Sequence, residues 1–362
     1  FDVIIYSETS NDWIHIGSAV EKIAKHSSAK IAYLYSDPKE DRRDLKQKYG
    51  ERLSLIYVGS GFYRSFLFSQ LQATTLIMTL TDLGKGALRR SPNVGNYVYI
   101  FHSITSTHMC YLSDSFDHYD TICCVGPHHA IEIRKREKLA NLKEKKLVSF
   151  GHSQIENMRT HVQLNPSRPD PHKVIIAPSW GPSSLVEILP AKFYEGLLSN
   201  GFSIYLRLHS MSAHRQKYFA ANIDQLAQNN KKMEVDYNHL DLDRLCEFSV
   251  MISDWSGAAT EFAFGLKRPV VFIDTPRKVR NKTYKQLETL PLEVGIRSRI
   301  GKVVSVDAAN NIGSWLADFI NGGEDSATPE ELEREYRRVV YTERPSWVSL
   351  LSELSNTHSI DF

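Results

Sequence analysis

The segment at residues 248–274, FSVMISDWSGAATEFAFGLKRPVVFID, contains the pattern that repeats through the chain and indicates its fold. An apolar run at residues 250–252 ends at a small polar cluster, residues 253–257, and helix-forming residues follow. A second β-rich run, PVVFI, then occupies residues 269–273. This order predicts a strand, a helix and a second strand, with a polar turn where the first strand ends.

The polar turn is a candidate anion site. The N–H groups at a helix start have no partner within the helix and carry partial positive charge. Ser256 and Thr260 would add hydroxyl donors beside these amides. An ordinary N-cap by Ser253, Asp254 or Ser256 explains the same residues. On the turn alone, the cap is the better interpretation.

Short β-rich runs alternate with helical stretches along almost the whole chain of 362 residues. In the first half, the strand candidates are DVIIYSE, AKIAYLYS, LSLIYVG, TTLIMTL, NYVYIFHS, YDTICCVG and, as a further candidate, KLVSFGH. In the second half, they are KVIIAPSW, FSIYLRLHS, KMEVDYN, FSVMISD, RPVVFID and a weaker GKVVSV. Most are continuously apolar, as expected for parallel strands covered on both faces. Helices are predicted between them, for example at residues 13–26 and 61–73.

The proline-containing segment HVQLNPSRPDPHK, residues 161–173, predicts a linker between two α/β domains. We expect Rossmann-like domains at residues 1–165 and 166–362, and the acidic helix at residues 329–344 could cross back to the first domain. Two such sheets facing each other would place the carboxyl ends of their strands along one cleft, where ligands bind in α/β folds.

The composition, 42% hydrophobic and 24% charged, is that of a soluble globular protein. No apolar stretch is long enough to span a bilayer and no signal peptide is visible, so we expect a cytoplasmic protein. The chain starts in a strand at Phe1 and could be excised from a longer one. Cys110, Cys123, Cys124 and Cys246 lack metal spacing, and the adjacent pair predicts buried free thiols in a reducing compartment.

Polar side chains follow several apolar runs, at positions that would line the predicted cleft. His102 and His152 each follow a strand candidate of the first half. Arg207 and His209 alternate with leucines, and a period of two places them on the same side of a strand end. Ser179 lies in a turn after another candidate. Histidine, arginine, hydroxyls and helix-start amides together suit a phosphate or a diphosphate.

Each of these residues also has a structural interpretation. A single histidine at a strand end is more often hydrogen-bonded within the fold than catalytic. Arg207 could pair with a surface carboxylate. Several of the remaining histidines, a group made up of His108, His118, His128, His129 and His214, are expected to be solvated. No cluster of carboxylates accompanies the polar turns, so neither a Mg²⁺ site nor any other metal is expected.

Two segments are rich in basic residues. Residues 130–146 could lie on an anionic membrane surface or hold a polyanion, although a solvated helix is favoured because glutamates dilute the charge. Residues 275–285, TPRKVRNKTYK, include no acidic residue. They would bind a negatively charged acceptor through Arg277, Lys278 and Arg280. No nucleic-acid motif or stacking platform accompanies this charge, so nucleic acid is not expected as a partner.

The order of these motifs resembles the CDP-glycerol glycerophosphotransferase family, which makes teichoic-acid-type and capsular poly(polyol phosphate) chains and has a GT-B fold. FHSIT at residues 101–105 is similar to the family's aromatic-His-Gly-Thr motif, and GHSQ at 151–154 to its Gly-Tyr-Pro-Arg-like segment. APSW at 177–180 is similar to its Ala-Pro-Thr-Trp turn, RLH at 207–209 to Arg-x-His, and DWSG at 254–257 to Asp-Tyr-Ser-Ser. The similarity covers about residues 95–275, and the chain departs from the pattern at Ser103, Gln154 and Gly257.

The resemblance implies transfer of glycerol phosphate, or another polyol phosphate, from a CDP-linked donor to a hydroxyl of a cell-surface glycan or polymer, with release of CMP. It implies that His102 is the general base. Arg207, His209 and Ser256, with the helix-start amides, would stabilise the diphosphate without a metal ion or other cofactor. The first domain would then face the acceptor and the second would bind the donor.

The full set of candidates follows from these roles. The catalytic candidates are His102 and His209. The candidates for binding the donor and its phosphates are Ser179, Arg207, His209, Ser253, Asp254, Ser256, Gly257, Thr260 and Glu261. Asp254 is expected to cap or orient, and Glu261 either binds a ribose hydroxyl or lies on the surface. The acceptor-side candidates are Ser103, Thr105, His152, Arg277, Lys278 and Arg280.

Three other functions stay open at this point. A GT-B glycosyltransferase would use a CMP- or UDP-linked sugar in surface polysaccharide synthesis, and a nucleotide-sugar 2-epimerase would need no acceptor. A glycan- or nucleotide-binding module would bind without turnover. The sequence leaves open the transferred group, the acceptor, the oligomeric state and whether transfer is single or processive. Peripheral contact with the cytoplasmic face of the membrane is a further expectation.

Overall fold

The computed structural model describes residues 1–81, 83–85, 88–209, 217–237 and 241–358; side chains at 217–222 and 356–358 are left out of the description. Within these ranges the chain forms two sheets, one of seven strands and one of six, and every strand pair is parallel. An α/β fold with two parallel sheets was predicted and is confirmed.

The seven-stranded sheet contains the strand candidates of the first half of the chain. Its strands are β1 (Val3–Ser7), β2 (Ile31–Tyr35), β3 (Leu53–Tyr57), β4 (Ala73–Met78), β5 (Val94–Ile100), β6 (Thr121–Cys124) and β7 (Lys146–Ser149). Their order is β3-β2-β1-β4-β5-β6-β7. Every residue of β1 and β6 is buried, which explains why these strands are continuously apolar or small in sequence.

The six-stranded sheet contains the candidates of the second half. Its strands are β8 (Asp170–Ile176), β9 (Ser203–Arg207), β10 (Met233–Asp236), β11 (Phe248–Ser253), β12 (Val270–Ile273) and β13 (Gly301–Val304). Their order is β10-β9-β8-β11-β12-β13. β11, the strand of the opening segment, is central, and all its residues are buried. β12 pairs beside it, with Ile252 opposite Val271.

Helices connect these strands. They are α1 (Trp13–His26), α2 (Arg43–Tyr49), α3 (Gly61–Gln70), α4 (Pro127–Leu139), α5 (Ser153–Leu164), α6 (Leu185–Ile188), α7 (Ala191–Ser199), α8 (Lys217–Asn229), α9 (Leu242–Leu245), α10 (Gly257–Leu266), α11 (Leu292–Ile300), α12 (Ile312–Ile320), α13 (Pro329–Val339) and α14 (Ser346–His358). The helix predicted at residues 13–26 is confirmed. The one predicted at 61–73 ends earlier, because the backbone is already extended at Leu71 before β4 begins.

The predicted linker at residues 161–173 is mostly regular structure. α5 continues to Leu164 and β8 begins at Asp170. Pro166 disfavours helical backbone at Asn165, so the helix ends there. Pro171 is tolerated because it lies in the exposed first part of β8.

The chain forms two compact units. Unit 1 comprises Phe1–Gln154, Arg280–Thr289 and Val339–Phe362, and unit 2 comprises Ile155–Val279 and Leu290–Arg338. The sequence interpretation placed the boundary at residues 165/166 and the returning helix at residues 329–344. In the structure the chain re-enters unit 1 at Val339, and α14 packs there against α1 and β7. Leu350 and Leu354 of α14 are buried in the core of unit 1.

The basic helix α4 is solvated on one face only, so the favoured interpretation of a solvated helix with mixed charges is correct in part. Glu132 and Glu137 are buried. Glu132 accepts hydrogen bonds from the backbone and hydroxyl of Thr107, at 2.6 and 2.7 Å, and Glu137 accepts one from the Lys145 backbone N–H at 2.7 Å. Two glutamates that dilute the charge in sequence therefore anchor the helix to unit 1. Within the described parts of the chain, no helix combines the length and apolar character needed to cross a bilayer.

Candidate functional site

Three histidines meet at the carboxyl end of the sheet in unit 1, and we call them the histidine cluster. His102 follows β5, His152 follows β7, and His15 lies in the first turn of α1 after β1. The ring centroid of His15 lies 6.1 Å from that of His102 and 6.0 Å from that of His152. Because parallel strands end at the same edge of a sheet, residues distant in sequence converge here.

The environment of the cluster favours neutral imidazoles. Burial lowers the pKa of His102, while the charge of Asp12 and a hydrogen bond with the Thr79 backbone oppose that shift. Burial, and then the charge of His102, lower the pKa of His152 to about 4. His152 is therefore neutral near pH 7, and neutral His102 can accept a proton. Tyr111 completes the surroundings, with its ring centroid 6.0 Å from that of His102.

The loop after His102 is held by its own hydroxyl groups. Ser103 Oγ lies 3.1 Å from Thr105 Oγ1 and accepts a hydrogen bond from the Thr105 N–H at 3.3 Å. The Thr105 carbonyl lies 2.9 Å from Nε2 of His129. Ser103 and Thr105, two acceptor-side candidates, thus fix the loop that carries His102.

Two of the five histidines among which solvated ones were expected are buried. His129 is fully buried against Thr105, and His108 lies between Glu132 and the Thr289 carbonyl, at 3.3 and 3.1 Å. Both lie on a helix or loop that packs into unit 1, a tertiary arrangement that the local sequence does not indicate. His118 is exposed, and His214 lies outside the described residues.

In unit 2, Asp254 organises the turn that follows β11. Its carboxylate is buried and accepts hydrogen bonds from the backbone N–H groups of Ser179, Leu185 and Trp255, at 2.7, 2.8 and 2.6 Å. Burial raises the pKa of Asp254, and the hydrogen bonds oppose that shift. Ser253 donates its hydroxyl proton to the Ala177 carbonyl at 2.6 Å. Both side chains are engaged with backbone, so they connect the ends of β8 and β11.

The next residues leave a helix start with uncapped N–H groups. Ser256 is the N-cap residue of α10, with extended backbone, and its hydroxyl makes no capping hydrogen bond. Gly257 begins the helix, and Thr260 is buried one turn further along. Ser256 and Gly257 are partly exposed. The amides of the first turn and the Ser256 hydroxyl can therefore serve as donors to an anion.

Arg207 and Glu261 form a second pair in this region. Arg207 ends β9, and burial lowers its pKa while the charge of Glu261 raises it. Burial raises the pKa of Glu261 to about 7, and Arg207 opposes that shift. Glu261 is thus a half-buried partner of Arg207 and not a surface carboxylate.

An aromatic side chain connects His209 with the basic segment. The Trp180 ring centroid lies 6.1 Å from that of His209, which is exposed, and Nζ of Lys278 lies 4.3 Å from the Trp180 centroid. The other basic candidates lie elsewhere. Arg277 lines a separate cleft of unit 2, and the Arg280 backbone binds the Met109 carbonyl within unit 1.

Two parts of these arrangements were not predicted from the sequence. His15 lies in the helix that follows β1, several residues beyond the strand end, so the strand-end rule that found His102 does not reach it. Arg297 of α11 is the other. It is buried, forms an ion pair with Asp274 at 2.9 Å, and stacks over Trp255 with its Cζ atom 4.0 Å from the ring centroid. Arg297 belongs to no motif, so no local signal marks its role.

Comparison with known proteins shows the fold. Neither a scan against protein-family models nor a search of curated proteins gave a match. Among solved structures, a variant of the wall teichoic acid polymerase TagF has a TM-score of 0.60 at 11% identity, covering 99% of this chain and 88% of that chain. S. aureus MnaA, in a co-structure with UDP, has a TM-score of 0.62 at 10% identity, covering 98% and 96%.

A putative UDP-N-acetylglucosamine 2-epimerase from Listeria monocytogenes is similar to the same degree, with a TM-score of 0.61, 11% identity and coverage of 99% and 97%. All three comparisons extend over almost the whole of this chain. The predicted GT-B fold class is therefore confirmed.

Proposed function

We propose that this protein transfers glycerol phosphate, or another polyol phosphate, from a CDP-linked donor to a hydroxyl of a cell-surface glycan or polymer and releases CMP. The observation that carries the proposal is the environment of His102, a partly buried imidazole with a lowered pKa at the strand end where the resembling family has its motif histidine. The fold likeness to a wall teichoic acid polymerase supports the same function.

In unit 1, His102 acts as the general base. It accepts the proton of the acceptor hydroxyl while that oxygen attacks the β-phosphorus of the donor. The bond from the β-phosphorus to the bridging oxygen breaks, and CMP leaves with the electron pair. A histidine whose pKa is lowered by burial is neutral near pH 7, so it is ready to accept this proton.

In unit 2, the start of α10 and the residues around it bind the donor. The first-turn amides, Ser256 and Arg207 stabilise the negative charge of the diphosphate. In our proposal these groups take the place of a metal ion. His209 and Thr260 add donors at the same end of the sheet. Asp254 and Ser253 act through backbone, by fixing the turn.

Glu261 is the candidate for recognising the donor's ribose. Its carboxylate is half-buried beside Arg207, in the same helix whose start would hold the phosphates. A carboxylate in such a position accepts hydrogen bonds from sugar hydroxyls. Arg277 and Lys278 would contact a polyanionic acceptor. We propose a cytoplasmic location, with peripheral contact with the membrane where the acceptor is held.

The test is release of CMP from CDP-glycerol in the presence of a hydroxyl-bearing polymer acceptor. We expect His102→Ala to reduce this release by about 10²- to 10⁴-fold, the usual contribution of a general base. Circular dichroism should show that the fold persists, and His118→Ala, a change at an exposed histidine of the same unit, should leave the rate unchanged. Absence of CMP release from every CDP-polyol by the wild-type protein would contradict the proposal.

A nucleotide-sugar glycosyltransferase is the second candidate, because the structure is equally similar to MnaA, which was solved with UDP. A donor screen that measures the nucleotide released from CDP-polyols, CMP-sugars and UDP-sugars separates the two. UDP or CMP released from a sugar nucleotide, with none from CDP-polyols, would establish the glycosyltransferase. Interconversion of free sugar nucleotides without an acceptor would indicate an epimerase.

A further inference from the structure

His15 has no role in the mechanism above, yet it lies in the histidine cluster. It comes from α1, and its ring is about equally close to those of His102 and His152, at 6.1 and 6.0 Å. Its side chain is partly exposed, whereas His152 is buried. Among the described residues, no group of three or more histidine, cysteine or carboxylate side chains could hold a metal ion. With its ring about 6 Å from two other imidazoles, His15 is placed for proton movement.

Each turnover leaves a proton on His102 that must be removed before the next. Burial disfavours the charged form of this imidazole, so loss of the proton is favourable. His152 is a poor recipient, because its pKa is lowered to about 4. Tyr111 is buried and is not basic. Among the described titratable side chains around His102, namely Asp12, His15, Tyr111 and His152, only His15 is an imidazole that is partly exposed, as His102 itself is.

We infer that His15 carries the proton from His102 to solvent after each transfer. The centroid distance of 6.1 Å suits a direct transfer between ring nitrogens or one across a single water molecule. The proton leaves His102 for one nitrogen of His15, and His15 releases a proton to bulk water, so both imidazoles return to their neutral forms. Asp12 lies three residues before His15, and its charge favours the protonated form of His102, so in our inference it stabilises the transient charge. This inference rests on the proposed function.

The test is chemical rescue of His15→Asn, which keeps a polar side chain of similar size. At low buffer concentration we expect its kcat for CMP release to fall about 10-fold, with the KM for CDP-glycerol unchanged. Added imidazole should restore the rate, because a small base can take the proton directly from His102. The solvent deuterium isotope effect on kcat should rise in the variant. The matched control is His26→Asn, at the exposed far end of the same helix.

The possible results separate this inference from the function on which it rests. A wild-type protein that releases no CMP from any CDP-polyol overturns both. A wild-type protein that transfers, with His15→Asn equally fast at low buffer, overturns the proton role alone. A slow His15→Asn that imidazole does not restore, or one with a raised KM for the donor, shows that His15 is structural and likewise overturns it.

Discussion

The histidine cluster of unit 1 and the Asp254 turn of unit 2 lie at equivalent ends of two parallel sheets, yet they are constructed differently. In unit 1, imidazoles from two strand ends and from the first turn of α1 lie side by side, with pKa values lowered by burial at two of them. In unit 2, a single buried carboxylate accepts three backbone hydrogen bonds. The first region holds neutral imidazoles that can accept a proton, whereas the second holds its backbone in one arrangement.

This difference divides the work of the proposed reaction between the units. A general base needs an accessible neutral form, and the cluster supplies it. A phosphate site needs amides that are fixed before the ligand arrives, and the Asp254 turn supplies them. If the comparison is right, substitutions in unit 2 should cost mainly folding stability, and substitutions in unit 1 should change mainly the pH dependence.

The largest effect on stability is expected at Asp254. Asp254→Ala leaves the N–H groups of Ser179, Leu185 and Trp255 buried without their acceptor. Because each lost partner costs about 1–3 kcal/mol, we expect the free energy of unfolding to fall by about 3–5 kcal/mol in urea denaturation. Asp241→Asn is the control, since Asp241 caps the short helix α9 through one backbone N–H and asparagine caps equally well. A loss below about 1 kcal/mol for Asp254→Ala would remove the contrast between the units.

The next effect is the acid dependence that His152 gives to unit 1. Its pKa is about 4 in the folded protein and 6.5 in the unfolded chain, so between these values the unfolded state binds more protons. The resulting loss of folding free energy is absent above pH 6.5 and grows as the pH falls toward 4, where it reaches about 3 kcal/mol. We expect His152→Asn to lose less stability than the wild type over this window in urea denaturation at several pH values. If the free energy of unfolding changed with pH in the same way for both proteins, His152 would not be a buried neutral group.

The strands could be predicted from the sequence because each carries its signal locally. β1, β5 and β11 are apolar runs bounded by polar residues. This local pattern is enough to predict a parallel strand that is covered on both faces. The same local rule placed His102 and Ser256 at strand ends. It failed at the predicted linker, where the prolines outweighed a helix that continues to Leu164. It also failed at α4, where two glutamates are buried by contacts with residues distant in sequence.

The parts of the candidate site that the sequence did not reveal are side-chain contacts between elements. Arg297 lies in α11, and its structural role follows from its contacts with Trp255 and Asp274. Asp254 could be predicted as a cap or orienting group from its position, but its bonds to Ser179 and Leu185 join segments about seventy residues apart in sequence. Such long-range pairs have no periodicity or spacing by which one sequence could reveal them.

Arg297 allows a smaller test of how unit 2 holds its turn. Arg297→Lys keeps the charge but loses the planar group that bonds to Asp274 and the Ile273 carbonyl while stacking on Trp255. We expect the free energy of unfolding to fall by about 1–2 kcal/mol. Arg299→Lys, an exposed change on the same helix, should stay within about 0.5 kcal/mol of wild type. An equal loss in both variants would mean that the stacked arrangement contributes nothing specific.

The smallest expected effect is at Lys278, at the border between the fixed turn and the proposed acceptor contacts. Its ammonium lies over Trp180, and a cation over an aromatic ring contributes about 0.5–1 kcal/mol when partly exposed. Lys278→Met keeps the length of the side chain and removes the charge, with Lys285→Met as a control that lies in unit 1. A loss of stability without change in the affinity for a polyanionic acceptor would assign Lys278 to the turn. Unchanged stability with weaker, less salt-dependent acceptor binding would assign it to the ligand, and the rigid region of unit 2 would then end at Trp180.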